Sequence, residues 1–576
     1  MRVHKGKAVL VCATALALAI TGCSSSKSKT GGNNNNTHKS GGKLIFGEAT
    51  AYPENLMPLI SAGNATSTAN LEIRVLDAAF RVTPQLQYQA DPDQITSATS
   101  SIVNAQQVVD IKINPKAVWA DGQPITAADY IFTADAQKST DPKKGGCASL
   151  LSETGFDQIA SSKAVSDKEV QFTFAKGKPY PDWQGLFGGA SGIILSKHVF
   201  DQGSPVANCA YITKGWGVTS GIPLGAQNGP WLLKSSNINA KNKTFTLVHN
   251  PKYWGAPPKL DTLVDAYIGS DSNTNVTALQ NQEVNMIYPQ PQLDLVASLK
   301  GLSGVTTQVN FGPSFEHLDF NTADPLLKHI QIRQAIAYAI DRKALVQATV
   351  GKFSDKATVL GNRLLMGNQT GYQDHSGAYA TQDIAKAKSL LTGIGCTMGG
   401  SGIYNCFGKP LTFKVETTQD NPLRDQTIQT LANQVKAAGI GLTEFASPDI
   451  FAGTDKPNSL VSEGFQIALF AWVGTPSISS NAPIYLSPAG GGKGQNYTQA
   501  GTPAIDAALN QVSTAADTTA EIAAANKADS LLWAQMYTLP LYQKPTLLAF
   551  DSNFNGIGDN TSSSGPLWNS DTFTKS

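Results

Sequence analysis

Alternation of apolar and polar residues predicts several strands in the centre of this chain. Val108–Ile113, Val170–Phe174 and Phe245–Val248 place β-branched or aromatic residues at every second position, as a half-buried strand requires. A helical spacing follows further along, where apolar residues recur every three or four positions and would cover one face. These are Ile332, Ala335, Ile336, Ala339 and Ile340. With no repeat of fixed period, this mixture of elements indicates an α/β architecture.

A turn and a capped helix lie between the first two strands. Asp121-Gly122 supplies turn chemistry, and Thr126 stands where it can cap a helix that follows. Asp129 would occupy the third helical position, where a carboxylate can interact with the exposed amides. The segment 118–132 therefore predicts a strand, a turn and a helix beginning just after Thr126.

The N-terminal pattern predicts a secretory signal. A short apolar run, Ala8–Ile20, follows three basic residues and ends at Gly22-Cys23. The run is too short to span a bilayer as a stable helix. Its end resembles the lipobox, whose cysteine is acylated and becomes the mature N-terminus, so Cys23 is the predicted lipidation site. An ordinary signal sequence with an incidental cysteine is the alternative.

The residues after Cys23 contain no apolar side chain before position 43, and this composition favours a disordered tether. We therefore predict a signal peptide over 1–22 and a lipidated cysteine with its tether over 23–43. The folded part then lies outside the cytoplasmic membrane, held to that membrane by lipid. No later apolar run is long enough to cross it.

Length and charge exclude some classes of protein but do not identify the function. The 576 residues exceed what one hydrophobic core usually supports, so two or three lobes are expected. Removal of the signal takes three of the 44 basic residues and none of the 43 acidic ones. The nearly neutral remainder offers no electrostatic footprint for a nucleic acid.

Four cysteines remain after the signal and the lipidation site, namely Cys147, Cys209, Cys396 and Cys406. In an oxidising compartment they predict two disulfides, for which three pairings are possible. The pairs Cys147 with Cys209 and Cys396 with Cys406 are favoured, because each closes a loop within one expected lobe. A metal site is the competing interpretation, but there is no CxxC and no cysteine near a histidine at ligand spacing.

The segment 119–129 resembles a signature of the extracellular solute-binding proteins of ABC importers, family 5, the peptide and nickel class. That pattern is Trp-x-Asp-Gly-x-Pro-(Leu/Ile)-Thr-Ala-x-Asp, and Trp119, Asp121, Gly122, Pro124 and Asp129 stand at its positions. Further family motifs follow in the family's order. They are Asn228–Leu233, Asn250–Trp254, Leu318–Thr322 and Ile332–Arg342.

This resemblance implies a bilobed, periplasmic-binding-protein-like α/β fold of the large three-subdomain class, with two chain crossings between lobes. Phe315–Asn321 and the stretch from Leu539 are the expected crossings. Lobe I would comprise 44–310 and 537–576, with an extra subdomain over 81–200, and lobe II would comprise 311–536. The two lobes would close on a solute by hinge motion and deliver it to a membrane permease.

Most of the motif residues are expected to hold the scaffold. Arg333, Asp341 and Arg342 lie off the apolar helix face, where an ion pair or a contact with a carbonyl is favoured over ligand binding. Trp119 and Trp254 are expected to pack within a lobe. The motifs therefore support the fold more than they identify the ligand.

The stretch around Trp472 carries the candidate ligand contacts. Peptide-binding members commonly have a tryptophan here followed by an aspartate for the peptide amine, but no carboxylate occurs between Glu463 and Asp506. Trp472 offers a large apolar face for stacking, with core packing as its alternative. Further candidates have a turn, a loop or hinge packing as their alternatives. They are Gly474, Thr475, Ser477, Asn496, Tyr497 and Tyr542.

An enzyme is the main hypothesis from another class. The chain contains no GxSxG, HExxH or GxxxxGK[ST] motif. His317 and Asp319 could share one strand face, but a structural histidine is favoured there. We therefore predict a non-enzymatic, monomeric receptor with no cofactor or metal, which binds an oligopeptide and partners an ABC permease. The alternatives are a receptor for a carbohydrate or other organic solute, and a signalling or adhesion lipoprotein on the same fold.

Overall fold

The computed structural model describes residues 41–50, 52–419, 421–451, 456–492 and 495–576. The predicted signal peptide, Cys23 and nearly all of the predicted tether lie outside these described residues. Within the described ranges, no helix combines the length and the apolar character needed to cross a membrane.

The strands of the described residues form one large sheet and four small ones. In chain order they are β1 (Lys43–Glu48), β2 (Phe80–Val82), β3 (Tyr88–Ala90), β4 (Ile95–Val103), β5 (Gln106–Ile113), β6 (Ile159–Ser166), β7 (Glu169–Phe174), β8 (Trp231–Leu232), β9 (Ile238–Asn239), β10 (Thr244–His249), β11 (Thr262–Tyr267), β12 (Met286–Ile287), β13 (Val305–Phe320), β14 (Thr397–Met398), β15 (Tyr404–Cys406), β16 (Lys409–Pro410), β17 (Thr412–Thr418), β18 (Gly441–Ser447), β19 (Ile467–Val473), β20 (Thr538–Asp551), β21 (Phe554–Asn555) and β22 (Thr574–Lys575).

The α-helices alternate along the chain with these strands and with short 3-10 turns, one of which spans Trp183–Phe187. In chain order the helices are α1 (Thr66–Glu72), α2 (Ala127–Gln137), α3 (Lys197–Phe200), α4 (Pro205–Lys214), α5 (Ser272–Gln280), α6 (Leu293–Lys300), α7 (Ile330–Ala339), α8 (Arg342–Ala348), α9 (Ile384–Gly393), α10 (Pro422–Lys436), α11 (Ile478–Asn481), α12 (Pro503–Ser513) and α13 (Thr518–Gln535). The predicted mixed α/β class is confirmed.

The large sheet has 11 strands in the order β18-β17-β19-β13-β20-β12-β1-β11-β10-β8, with β9 paired to β10. Its centre is the antiparallel pair of long strands β13 and β20. The pairing skips residues between Phe311 and Phe315, so Gly312-Pro313-Ser314 forms an irregularity in β13. The two segments expected from the sequence to be crossings are therefore neighbours in one sheet.

A separate four-stranded antiparallel sheet, in the order β4-β5-β7-β6, is formed by residues 95–174. Its buried face packs with Trp119, which is 0% exposed, and with α2. The strands predicted at Val108–Ile113 and Val170–Phe174 correspond to β5 and β7. The third predicted strand, Phe245–Val248, lies within β10.

The predicted cap of α2 is present. The carboxylate of Asp129 accepts hydrogen bonds from the backbone N–H of Thr126 at 2.7 Å and from its hydroxyl at 3.1 Å. The other oxygen of Asp129 accepts from the N–H of Lys197 at 2.7 Å. Gly122 has φ +96, which a left-handed turn residue requires. These motif residues thus hold the scaffold.

The apolar face predicted from the 3.6-residue period is buried in the main core with the inner face of β13, β19 and β20. The helix α7 ends at Ala339, one residue before the predicted Ile340, which is buried but has an extended backbone. Arg333 donates to the carbonyls of Met536 and Leu327. This is the carbonyl contact expected for a scaffold residue.

Both favoured disulfides are confirmed. Cys147 is bonded to Cys209, and Cys396 is bonded to Cys406. The first joins α4 to the loop after α2, and the second joins β15 to the segment that follows α9. Each bond therefore fastens a peripheral element to a neighbouring one.

Candidate functional site

An aromatic cluster surrounds Trp472, near the end of β19. The indole ring of Trp472 stacks on Tyr497, with ring centroids 5.8 Å apart and an angle of 2° between the planes. Phe470 meets the same indole edge-on at 5.1 Å, and His317 stacks on it at 5.9 Å. Trp472 is half-buried, so part of its surface remains open. Its indole N–H is buried and has no hydrogen-bond partner among the described residues.

The predicted pair His317 and Asp319 belongs to the same strand face as this cluster. The Nε2 atom of His317 lies 3.3 Å from Oδ1 of Asp319, and both side chains are almost fully buried. Phe315 and Phe470 pack against the imidazole ring. The pair therefore supports the packing around β13 and is not open to solvent.

The loop after β19 is held close to the irregularity in β13. The N–H of Gly474 donates to the carbonyl of Pro313 at 3.2 Å. A Cβ at position 474 would lie 2.6 Å from that oxygen, so only glycine permits this approach. Thr475 is exposed, and its hydroxyl donates to the carbonyl of Ser477 at 3.2 Å.

The remaining predicted ligand residues lie in different surroundings. Asn496 is buried, and its amide donates to the carbonyls of Tyr485 and Ala500 at 3.1 and 2.7 Å. Tyr542 is 0% exposed, and its hydroxyl lies 2.8 Å from that of Thr427. The structure thus brings Trp472 and Tyr497 together, whereas Asn496 and Tyr542 make internal contacts.

A cavity of about 520 Å³ lies beside the central strands. One wall comes from the segments after β1, β11 and β12, and the opposite wall comes from α10 and the residue before it. None of the ligand residues predicted from the sequence lines this cavity. Its uncharged polar lining residues are Thr50, Ser270, Gln290, Gln292, Asn421 and Gln426.

Glu316 and Lys544 line this cavity, and Arg424 pairs with Glu316. The guanidinium of Arg424 donates to the carboxylate of Glu316 from Nε at 3.1 Å and from Nη2 at 3.0 Å. Lys544 also lines the cavity, and its Nζ lies 3.9 Å from Glu316 Oε1. Burial lowers the pKa of Lys544, and the nearby carboxylate of Glu316 opposes that shift. Two cations thus share one buried carboxylate. The side chain of Lys544 is 26% exposed, so it remains accessible from the cavity.

Asp294 places a further carboxylate at the cavity. It lies in the first turn of α6 and is exposed to solvent. The cavity therefore offers a cationic group at Lys544 and an anionic group at Asp294. This combination can hold a zwitterionic solute.

A second contact region joins Tyr88 and Asp182, which lie before and after the four-stranded sheet in the chain, to the segment after β19. The hydroxyl of Tyr88 lies 3.0 Å from Oγ of Ser477. The N–H of Ser479 donates to Oδ2 of Asp182 at 2.9 Å, and the Ser479 hydroxyl donates to the same oxygen. Glu521 approaches Asp182 from α13. We call Tyr88, Asp182, Ser477, Ser479 and Glu521 the clasp.

The sequence did not indicate the cavity charges or the clasp. Glu316 lies within one predicted crossing, and Lys544 lies between the two segments assigned to the other. Their positions in the crossings were the only sequence feature that could have suggested a place near the cavity. No local pattern pairs Asp182 with α13. Residues joined in these sites are far apart along the chain.

Comparison with known proteins places these features in context. Residues 95–496 match the family described as bacterial extracellular solute-binding proteins, family 5 Middle. The chain is 30% identical over 528 residues to the oligopeptide-binding protein OppA of Mycobacterium tuberculosis strain H37Rv, covering 91% of this chain and 83% of OppA. It is 23% identical over 548 residues to an uncharacterized lipoprotein of the same strain, covering 88% of this chain and 89% of that protein.

Among solved structures, the fold is similar to that of the periplasmic EDTA-binding protein EppA. The TM-score is 0.81 at 26% sequence identity, and the match covers 94% of this chain and 97% of EppA. The bilobed architecture expected from the sequence motifs is therefore confirmed.

Proposed function

Because this chain belongs to the bacterial extracellular solute-binding proteins of family 5, we propose that it captures oligopeptides for an ABC importer. Two lobes close on the peptide, and the closed form delivers it to the permease. The similarity to an oligopeptide-binding protein over 91% of the chain supports the ligand class. We further propose that the protein acts as a monomer held to the membrane by lipid at Cys23, which the lipobox-like motif and the lipoprotein relative support.

The proposed lobes are those expected from the sequence: 44–310 with 537–576, and 311–536. The strands β13 and β20 connect them, and the irregularity at Gly312-Pro313-Ser314 interrupts their pairing. An interrupted ladder has fewer backbone hydrogen bonds that resist bending. We therefore place the hinge at this point.

The cavity at Lys544 is the observation that supports solute binding most strongly. Its volume of about 520 Å³ is within the range of small-molecule sites, and its walls come from both proposed lobes. Thr50 and Gln290 lie on one side, and Asn421 and Gln426 lie on the other. Side chains of this type can pair with the amide groups of a peptide.

The charges at the cavity indicate how a free peptide would lie. Arg424 and Lys544 together carry two positive charges beside the single carboxylate of Glu316, so one positive charge is in excess and can be neutralised by a carboxylate of the solute at Lys544. Asp294 is available to its ammonium group. The absence of a carboxylate between Glu463 and Asp506 therefore does not disfavour peptides with a free amine. Trp472 and Tyr497 do not line this cavity and are proposed as a separate surface for an apolar side chain of the solute.

The likeness to an EDTA-binding protein supports a second candidate ligand class. A polycarboxylate would find the same cation at Lys544. The affinity for such a ligand would depend on its interaction with Lys544 and not on Asp294. The two classes thus differ in their dependence on these two residues.

Native mass spectrometry of the purified full chain tests the proposal. The probes are a pool of short free peptides, the same peptides with amidated C-termini, a pool of oligosaccharides, and EDTA. We expect the free peptides to bind. The substitution Lys544→Gln should lower their affinity about tenfold to a hundredfold, which corresponds to the loss of a hydrogen bond to a charged group. The amidated peptides should be affected much less by that substitution.

Lys176→Gln is the matched control, because Lys176 is exposed and does not line the cavity. It should leave the affinity unchanged. Binding of oligosaccharides in place of peptides would overturn the peptide assignment. Binding of EDTA that depends on Lys544 but not on Asp294 would favour the second class.

A further inference from the structure

The clasp connects two separate hydrophobic cores of the protein. Tyr88 packs against the core beneath the four-stranded sheet, and Asp182 directly precedes the 3-10 turn Trp183–Phe187, whose residues pack in that core. Ser477 and Ser479 flank Ile478, whose side chain belongs to the core around α12 and α13. In the proposed division into lobes, the clasp is therefore a direct contact between lobe I and lobe II.

Glu521 has an unusual environment within the clasp. Glu521 is 0% exposed, and among the described residues its carboxyl group meets only the backbone N–H of Ser479 and the carboxyl group of Asp182, with no close hydrogen bond from any other side chain. The side chain lies within hydrogen-bonding reach of Asp182. A carboxylate buried in this way would carry a large desolvation cost, whereas a protonated carboxyl can donate to Asp182.

Asp182 is positioned to accept the hydrogen bond from a protonated Glu521. Its Oδ2 receives the N–H and the hydroxyl of Ser479, which stabilise an ionised carboxylate. Two carboxylates in direct contact do not both remain ionised, because like charges at this distance repel strongly. One proton shared by Asp182 and Glu521 satisfies both groups.

The other groups facing the pair are neutral. Tyr88 reaches it from β3 and Tyr180 from the segment after β7; burial is the largest cause that raises the pKa of each phenol, with the two carboxylates adding to it. Ser477 and Ser479 contribute hydroxyls. Among the described residues, no salt bridge joins Asp182 or Glu521 to a lysine, arginine or histidine.

We propose that the Asp182–Glu521 pair is a proton-dependent clasp, so that closing the lobes takes up one proton and the closed form is favoured at lower pH. This inference rests on the proposed two-lobe function and adds a regulation to it. Solute would be held more tightly in an acidic surrounding and released more readily as the pH rises.

The direction follows from the change in pKa between the two forms. In the open form, Glu521 is expected to titrate near its ordinary value of 4.5. In the clasp, burial first and then Asp182 raise the pKa of Glu521 well above that value. The stabilisation of the closed form is complete below the open-form pKa and is lost progressively as the pH rises toward the closed-form pKa.

Titration calorimetry of the full chain across pH tests this proposal. The probe is a free peptide found to bind by native mass spectrometry. For the unmodified protein, we expect the affinity to fall as the pH rises from 6 to 8.5, by at most about tenfold per pH unit. Glu521→Gln keeps a neutral donor beside Asp182, so its affinity should vary much less with pH.

Glu54→Gln is the control, since Glu54 is exposed and lies outside the clasp. It should retain the pH dependence of the unmodified protein. An equal slope in the Glu521→Gln variant and the unmodified protein would overturn the proposal.

A measurement without peptide separates this proposal from the proposed function. Hydrogen exchange of residues 477–485, corrected for the pH dependence of the intrinsic rate, reports opening of the clasp in the unliganded chain. We expect protection to decrease with rising pH in the unmodified protein and to stay nearly constant in Glu521→Gln. The same result in both proteins would contradict the clasp even if peptides bind, and a difference between them would support it even if peptides do not.

Discussion

Trp472 and Tyr497 stack with their rings parallel, 5.8 Å between centroids, at the end of a strand next to the proposed hinge. Trp472 remains half-buried, so one part of the indole packs and another part is open. A stacked aromatic residue of this kind can serve both the fold and a ligand.

Replacement of Trp472 by alanine should therefore affect both properties. We expect peptide affinity to fall about tenfold or more, as for a buried aromatic contact residue, and the melting temperature to fall because the ring packs against Phe470 and Tyr497. Trp472→Phe should restore most of the stability but not all of the affinity. Calorimetry of binding and of unfolding measures the two effects. A loss of stability with unchanged affinity would assign Trp472 to the core alone.

Glu316 and Arg424 form a buried ion pair beside the cavity. In Glu316→Gln the guanidinium loses its charged partner, and we expect the free energy of unfolding to fall by about 3–5 kcal/mol. The more exposed pair of Lys112 and Glu169, 3.7 Å apart, provides the comparison. Glu169→Gln should change the stability by less than about 1 kcal/mol. Equal effects in denaturant titrations would contradict this account of the pair.

The two disulfides close loops of different length. The bond between Cys147 and Cys209 spans 62 residues, and that between Cys396 and Cys406 spans 10. On the chain-entropy model, the first contributes about 4 kcal/mol and the second about 3 kcal/mol to the free energy of unfolding. Replacing both cysteines of the first disulfide by serine should therefore lower the melting temperature more than the same replacement in the second disulfide. The opposite order would show that native contacts outweigh loop entropy here.

Glu416 is buried in β17, and desolvation raises its pKa to about 7. A carboxyl with a raised pKa in the folded state favours folding when it is protonated, so this contribution is lost as the pH rises from 4.5 to 7. Glu416→Gln should therefore melt at a higher temperature than the unmodified protein at pH 8. The difference should shrink at pH 5. Glu54→Gln, a substitution at an exposed position, should show no such dependence of the melting temperature difference on pH.

Much of the fold could be predicted because it is encoded locally. The alternation at Val108–Ile113, the cap formed by Thr126 and Asp129, and the apolar face of α7 each depend on a few consecutive residues. The family resemblance supplied the bilobed arrangement, and the cysteine pairing followed from loop positions.

The candidate sites were less predictable because they assemble at long range. Glu316, Arg424 and Lys544 come from three segments, and their shared charge depends on the pairing of β13 with β20 and on the position of α10. The contact of Asp182 with Glu521 depends on how two cores meet. The sequence indicated Trp472 and Tyr497 separately, and their stacking became apparent only in the structure.

In the proposed mechanism, both lobes hold one solute. Hydrogen exchange of the full chain, measured with and without the pool of short free peptides, tests this arrangement. We expect slowed exchange on both walls of the cavity, in residues 288–300 and in residues 421–427. Slowed exchange on one wall alone, with bound peptide demonstrated by native mass spectrometry, would contradict it.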